Sequence, residues 1–326
     1  MKRRIYVTRR IPQPGIDMLA ERFEVEIYQE DRAIPRDLLL EKAKEADALL
    51  TLLTEKVDAE LMDVASKLKI VANYAVGYDN IDVREATRRG IAVTNTPEVL
   101  TNTTADMAWA LMFAVARRVV EGDKFVRAGK FKGWGPMLLL GNDVYGKTLG
   151  VVGTGRIGTA VARRAIGFNM KVLYYDVVPN ETLEREVGAK KVELDELLRE
   201  SDFVTLHVPL LPSTHHLIGE RELKLMKRTA YLINTSRGPV VDERALVEAL
   251  RNGEIAGAGL DVFENEPELT PGLAELDNVV LTPHTASASV ETRARMATLA
   301  AENIIAFFEG KRPPTIVNPE VLEDKG

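Results

Sequence analysis

The sequence predicts an α/β fold built on doubly wound parallel sheets, divided into two domains. Three observations carry this. Short β-branched runs alternate with amphipathic stretches along nearly the whole chain, the pattern of parallel strands joined by helical crossovers. One strand runs directly into a glycine-rich turn that opens a helical pattern. The 326 residues also exceed the roughly 100–200 that one ordinary domain takes.

In the first series, Ile5-Tyr6-Val7-Thr8 reads as a strand. Ile16 to Phe23 reads as a helix, with Ile16, Leu19 and Phe23 on one face. Strands are predicted at Val25–Tyr28, Ala48–Leu53, Ile70–Tyr74 and Ile91–Thr94, and helices at Leu38–Ala46, Ala59–Leu68 and Asp82–Arg89. None of this series carries a phosphate-binding loop. Pro97 closes it. The segment Thr103 to Val120 is apolar at Met107, Ala108, Leu111, Met112 and Val115 and reads as one long helix. Gly129 to Gly146, with Trp134 and Pro136, reads as an irregular connection. The second series then places strands at Leu149–Val152, Val172–Tyr175, Phe203–His207, Tyr231–Asn234, Ala258–Asp261 and Val279–Thr282. Glu291 to Phe308 is the final helix, and Lys311 to Gly326 a polar, proline-containing tail.

Composition narrows the function classes. The net charge of -6 offers no nucleic-acid footprint. Met1-Lys2-Arg3-Arg4 is basic, but the apolar run after it is too short for a signal peptide. No stretch reaches the roughly 20 apolar residues of a membrane span, so neither membrane nor nucleic acid is an expected partner. Cysteine is absent, which removes disulfide and thiol chemistry and fits a cytoplasmic chain. Glutamine occurs only at Gln13 and Gln29 while Lys, Arg and Glu abound, a balance that leans toward a thermophilic source.

The turn Gly153-Thr154-Gly155-Arg156-Ile157-Gly158 is G-x-G-x-x-G between a strand and a helix. In that context Gly153 permits the tight turn and Gly155 lets backbone approach a pyrophosphate. Gly158 lets the helix lie against the strand, and the helix N-terminus offers free amides to phosphate. The next strand ends in Tyr174-Tyr175-Asp176, about 20 residues on, where an acid accepts hydrogen bonds from a ribose. Asp176 repels a 2′-phosphate, and Val177-Val178-Pro179 supplies no Arg, so NAD(H) is expected over NADP(H).

Three polar clusters follow strands of the second series: Asn234-Thr235-Ser236-Arg237-Gly238, Asp261-Val262-Phe263-Glu264-Asn265-Glu266 and Thr282-Pro283-His284. Ligands of open parallel sheets bind beyond the carboxyl ends of strands, so these residues are candidates for one site. A 2-keto acid calls for these residue types. Arg presents a planar, always-charged fork to a carboxylate. Negative charge builds on the ketone oxygen during reduction and needs a proton donor, for which His is suited near neutral pH. A carboxylate paired with that His favours the imidazolium. Singly, Arg237 reads as a surface ion pair, Glu266 as part of a solvated acidic loop, and His284 as a strand-end cap. Together, after a cofactor loop, they form a coherent catalytic set. His207, in a strand running toward the cofactor crevice and followed by Pro209, reads as adenine-side or simply packed. His215-His216 suggests a metal, but the nearest acid, Glu220, leaves the ligand set incomplete, so no metal is expected.

Taken together, these motifs resemble those of the D-isomer-specific 2-hydroxyacid dehydrogenases over nearly the whole chain. Within that family the chain is most similar to the archaeal glyoxylate and hydroxypyruvate reductases, through Val71 to Asp82 and Asp143 to Thr148. The resemblance implies a flavodoxin-like substrate domain from residues 1–97 and 290–326, with a Rossmann cofactor domain, residues 98–289, inserted into it. It also implies an active site in the cleft between them, and a homodimer formed around Thr103 to Val120. By motif match, Arg237 binds the substrate carboxylate and ketone, His284 is the acid/base and Glu266 its partner. Asp261 contacts the nicotinamide carboxamide and Thr104 lies near the ring. Thr154, Gly155, Arg156 and Ile157 meet the pyrophosphate. Thr235, Ser236, His207 and Pro209 complete the cofactor set. Val76 and Gly77 present backbone amides to the carboxylate and Leu53 lines the substrate pocket, while Trp134 is the residue that could reach a neighbouring subunit. The activity implied is NAD(H)-dependent reduction of glyoxylate or hydroxypyruvate to glycolate or D-glycerate. Glu266 argues against formate dehydrogenases, which carry Gln there. The absence of Lys at Val76 argues against phosphite dehydrogenases. A short D-3-phosphoglycerate dehydrogenase and an NAD-sensing corepressor remain as alternatives.

Overall fold

The computed structural model describes residues 2–325. Met1, which starts the basic stretch, and Gly326, which ends the expected tail, lie outside the described residues. The chain divides into two compact units, residues 1–100 with 288–326, and residues 101–287.

The first unit is built from β1 (Arg4–Val7), α1 (Gln13–Ala20), β2 (Glu24–Ile27), α2 (Arg36–Ala43), β3 (Ala48–Thr51), α3 (Ala59–Val64), β4 (Ile70–Asn73), α4 (Val83–Arg88) and β5 (Ala92–Thr94). Its strands are all parallel in the order β2-β1-β3-β4-β5, the flavodoxin-like doubly wound arrangement. Every residue of β3 and β4 is buried, as a sheet covered on both faces requires. β2, at the edge, alternates exposed with half-buried positions. Asp58 and Asp82 cap α3 and α4 by accepting from the amides of Leu61 and Glu85 at 3.2 and 3.0 Å. The helix predicted to reach Leu68 stops at Val64, because Ala65 turns out of helical conformation (φ -91, ψ 56).

The second unit opens with α5 (Thr101–Ala116) and α6 (Val119–Arg127). It continues through β6 (Thr148–Val152), α7 (Arg156–Arg164), β7 (Lys171–Tyr175), α8 (Glu181–Val187), β8 (Lys190–Lys191), α9 (Leu194–Glu200) and β9 (Phe203–Leu206). It closes with α10 (Glu220–Leu225), β10 (Tyr231–Asn234), α11 (Glu243–Arg251), β11 (Gly257–Leu260) and β12 (Val279–Leu281). All pairs are parallel, ordered β12-β11-β10-β9-β6-β7-β8. Counted from β6, this is the Rossmann order 3-2-1-4-5-6 with β12 added outside. The order reverses between β6 and β9, so that switch point is where a ligand crevice belongs. β8 has only two residues and no alternation to announce it.

One helix was expected over Thr103–Val120; the structure breaks it. Arg118 takes a left-handed conformation (φ 53), and α6 starts anew. The cause is a distant segment. The Asn142 amide donates to Ala116 O at 2.9 Å, ending α5, and Arg118 donates to Leu140 O while pairing with Glu121 at 2.8 Å. Nothing within 103–120 signals that break.

The final helix, α12 (Val290–Phe308), belongs to the first unit and packs on α1 and β4. Tyr74 Oη donates to Arg293 O at 2.7 Å, and Asn303 holds Thr315, whose hydroxyl donates to Asn95 O at 2.6 Å. The predicted polar tail is anchored as well: Asn318 accepts from the Val93 amide at 2.7 Å, and a 3-10 turn follows at Pro319–Lys325. No helix among the described residues is long and apolar enough to cross a membrane.

Candidate active site

β6 delivers the glycine turn to the switch point. Gly153 has φ +89, a conformation L side chains rarely adopt, and a Cβ there would sit 2.7 Å from His207 O. A Cβ on Gly158 would lie 2.0 Å from Gly153 O, so only glycine lets α7 approach this closely. At Gly155, the N-cap of α7, a Cβ would meet nothing within 4 Å. The backbone there faces open space, and the amides of the first turn of α7 point at it.

Asp176 follows β7 directly. Its Oδ2 accepts from the Thr154 amide at 2.7 Å and the Thr154 hydroxyl at 3.0 Å. One carboxylate oxygen thus steadies the glycine turn. Across the switch point, burial pushes the His207 imidazole down to about 3, so the ring is neutral, and its Nε2 lies 2.8 Å from Thr205 Oγ1. Thr235 is buried, with its hydroxyl lacking a partner among the described residues. An open helix N-terminus, an acid at the second strand end and an orphaned buried hydroxyl on the same sheet edge fit a dinucleotide.

The strand ends β10, β11 and β12 carry the remaining polar set. Asn234 organises the first turn: its Nδ2 donates to Arg237 O at 2.9 Å, and its Oδ1 accepts from the Ser236 amide and hydroxyl at 3.0 and 2.8 Å. Arg237 Nη1 donates to Ser236 O at 2.8 Å. A Cβ on Gly238 would fall 1.8 Å from Phe263 O, so this glycine lets the Arg237 turn lie against the loop that carries Glu266.

His284 Nδ1 lies 2.9 Å from Glu266 Oε2, and Glu266 Oε1 accepts from the Phe263 amide at 3.0 Å. Burial pushes the Glu266 carboxyl up. The hydrogen bond and charge of His284, the Phe263 amide and the Arg237 charge outweigh this and hold it below its ordinary value. His284 sits at φ 53, with its amide donating to Asp261 O at 2.8 Å. Asp261 is 0 % exposed, and its carboxylate accepts from the Thr282 hydroxyl (2.5 Å) and the amides of Thr285 (2.8 Å) and Ala286 (2.7 Å). These contacts tie Asp261 to the loop that carries His284.

In the other unit, Val76 and Gly77 follow β4. Asn95 Nδ2 donates to Val76 O at 2.8 Å and Asn73 Nδ2 to Gly77 O at 2.9 Å, while neither residue's N–H has an acceptor among the described residues. Leu53 is half-buried in a loop fixed by Glu55, which is buried and accepts from the Leu52 amide at 2.7 Å and the Thr8 hydroxyl at 2.6 Å. Asn80 ties this loop to the next by donating to Leu52 O and Glu55 O, each at 2.9 Å. Thr104 is buried in α5, Pro209 is exposed, and Trp134 is 85 % exposed. The sequence reading assigned no role to Asn234, Asn73, Asn80 or Glu55, because each works through side-chain hydrogen bonds to turns and loops that no local pattern encodes.

Residues 109–286 match the family described as D-isomer specific 2-hydroxyacid dehydrogenase, NAD binding domain. The chain is 59 % identical over 326 residues to a glyoxylate reductase of Korarchaeum cryptofilum, covering 99 % of this chain and 98 % of that protein. A solved protein of Thermus thermophilus superposes with a TM-score of 0.91 at 49 % identity, covering 96 % of this chain and 99 % of the other. An NADPH-dependent glyoxylate/hydroxypyruvate reductase of Sinorhizobium meliloti, solved with NADP and malonate, gives a TM-score of 0.86 at 36 % identity over 98 % of each chain. Sequence, fold and switch-point chemistry therefore agree: the chain belongs to the D-isomer specific 2-hydroxyacid dehydrogenases, as an oxidoreductase that works with a nicotinamide cofactor.

Proposed function

We propose that the chain reduces glyoxylate and hydroxypyruvate to glycolate and D-glycerate with NADH. The observation that carries this is the His284–Glu266 pair at 2.9 Å, on strand ends next to the Arg237 turn and on the same sheet edge as the glycine turn. The 153–158 turn and Thr235 would hold the cofactor, and Asp176 would accept hydrogen bonds from its ribose. The chemistry a bound nicotinamide supplies is a hydride. Arg237 takes the substrate carboxylate and steadies the ketone oxygen as its charge grows. As the new C–H bond forms at the keto carbon, the C=O π electrons move to oxygen, and His284 Nε2 gives that oxygen its proton. Glu266 keeps the imidazole oriented through Nδ1. The preference for NADH rests on the Asp176 carboxylate and on Val177-Val178-Pro179, which bring no cation. We assign the active form as a homodimer, on the apolar face of α6 and the segment after it.

The test is oxidation of NADH against glyoxylate, hydroxypyruvate, pyruvate and 3-phosphohydroxypyruvate, with His284→Ala beside the wild type. Fast turnover of the first two, reduced about 10²–10⁴-fold in His284→Ala, is expected. Preference for the phosphorylated acid would make the chain a phosphoglycerate dehydrogenase. Tight NADH binding with no turnover would favour the corepressor reading. Equal rates in His284→Ala would remove that residue from the chemistry.

A further inference from the structure

We propose that His215, His216 and Glu264 form a binding site for a divalent cation of the zinc class, separate from the dehydrogenase residues and independent of the reading above. Each residue offers one ligand atom, and the three atoms lie within 4.8 Å of one another. Two imidazoles and a carboxylate are a borderline-soft set that suits zinc and its first-row neighbours and leaves a fourth position to water. The acid comes from 48 residues away in sequence, not from Glu220.

Two of the three ligands are held from behind. The His216 amide donates to Pro239 O at 2.8 Å, fixing that residue at φ 51, a conformation uncommon outside glycine. Glu264 is gripped by α11: its amide donates to Glu243 Oε1 at 3.0 Å, and its Oε2 accepts from the Glu243 amide at 3.2 Å. Its other oxygen, Oε1, faces His216 Nε2 at 2.6 Å. In a tetrahedral zinc site with bonds of about 2.0–2.1 Å, ligand atoms stand roughly 3.3 Å apart. The His216–Glu264 pair therefore has only to open slightly to admit the ion, which takes the place of the proton between them. The rings of His215 and His216 stack at 4.1 Å. Coordination requires them to splay, and both residues are exposed enough to rotate.

The ion would join the turn ending at His216 to the start of the loop that carries Glu266. It would thereby act as a clip on that loop, favouring the folded state by mass action.

The test uses untagged, chelator-treated full-length protein titrated with zinc chloride, followed by calorimetry and by thermal unfolding. One equivalent should bind per chain, and the Tm should rise by about 5 °C once zinc exceeds its Kd about 100-fold. His215→Ala, an exposed change that leaves the fold intact, and Glu264→Gln should each weaken binding at least about tenfold. His284→Ala should bind as the wild type does. With cobalt chloride, the visible absorption of a tetrahedral complex should appear in the wild type and vanish in His215→Ala. Absence of binding overturns the site. Binding that survives both His215→Ala and Glu264→Gln, or that disappears in His284→Ala, also overturns it, by placing the ion elsewhere.

Discussion

Two carboxylates at strand ends do opposite kinds of work, and both can be tested by single substitutions. Asp176 holds Thr154 with one oxygen, so its removal loosens the glycine turn as well as any ribose contact. Asp176→Asn keeps an acceptor for the Thr154 amide and loses the charge, which separates the two roles. We expect KM for NADH to rise about tenfold or more in Asp176→Ala, as for loss of a charged hydrogen bond. The preference for NADH over NADPH should narrow in both variants; an unchanged preference would remove the ribose contact. Glu266 is held low by His284, the Phe263 amide and Arg237 against the opposing effect of burial. Its folded value lies below that of the unfolded chain, about 4.3. Its contribution to stability is therefore complete above that value and is lost as pH falls through the lower, folded one. The Tm gap between wild type and Glu266→Gln should shrink as pH is lowered from about 6 to about 3. A gap that stays constant with pH would mean the carboxylate is not stabilised in the folded state. Arg237, Glu266, His284 and Asp176 could be singled out in the sequence because each lies within six residues after an apolar strand. The contacts by which Asp261 clamps the His284 loop and the Glu264–His216 pair could not, since their partners lie 21 or more residues away and only the sheet order brings them together.

At the scale of elements, the sheet edge depends on how closely neighbouring turns approach. The turn after β10 touches the loop after β11 at Gly238, where a Cβ would meet Phe263 O at 1.8 Å and Glu264 N at 2.5 Å. Both neighbours are backbone, so neither can swing aside. Gly238→Ala should cost about 1–3 kcal/mol or more in urea unfolding, the range for overpacking. It should also lower kcat/KM, because relief comes only by moving the Arg237 turn away from the Glu266 loop. Wild-type stability and activity in this variant would show that the approach is not close. Alternating short apolar runs were enough to locate nearly every strand, because a sheet buried on both faces demands continuous apolar segments. Two elements resisted. β8 is a pair of lysines whose strand character comes from pairing with Leu173 and Tyr174. The break between α5 and α6 is imposed by Leu140, Gly141 and Asn142, and a Cβ on Gly141 would lie 2.3 Å from Ala116 O. Helical periodicity reads through such a break because it cannot see the segment that caps the helix end.

For the whole molecule, the unexplained feature is an apolar face that the chain does not cover itself. α6 has no buried residue, and Val119, Val120 and Val126 on it are exposed. The segment after it adds Phe131, Trp134, Met137, Leu138 and Leu140, with Trp134 at 85 % and Met137 at 77 % exposure. Soluble chains rarely leave contiguous apolar surface on this scale without a partner. A second copy of the same face is self-complementary under two-fold symmetry, as the commonest homodimers are. Light scattering should therefore return twice the 36.1 kDa chain mass. Val126→Glu with Met137→Glu would place charges at positions that are 58 % and 77 % exposed in the chain. The isolated fold should survive, while the interface would have to bury unpaired carboxylates. The variant should run at 36.1 kDa with a Tm that no longer depends on concentration, whereas the wild-type Tm should rise with concentration. A wild type that is monomeric at every concentration would mean that this surface serves another partner. A variant that stays dimeric would move the interface to a different face.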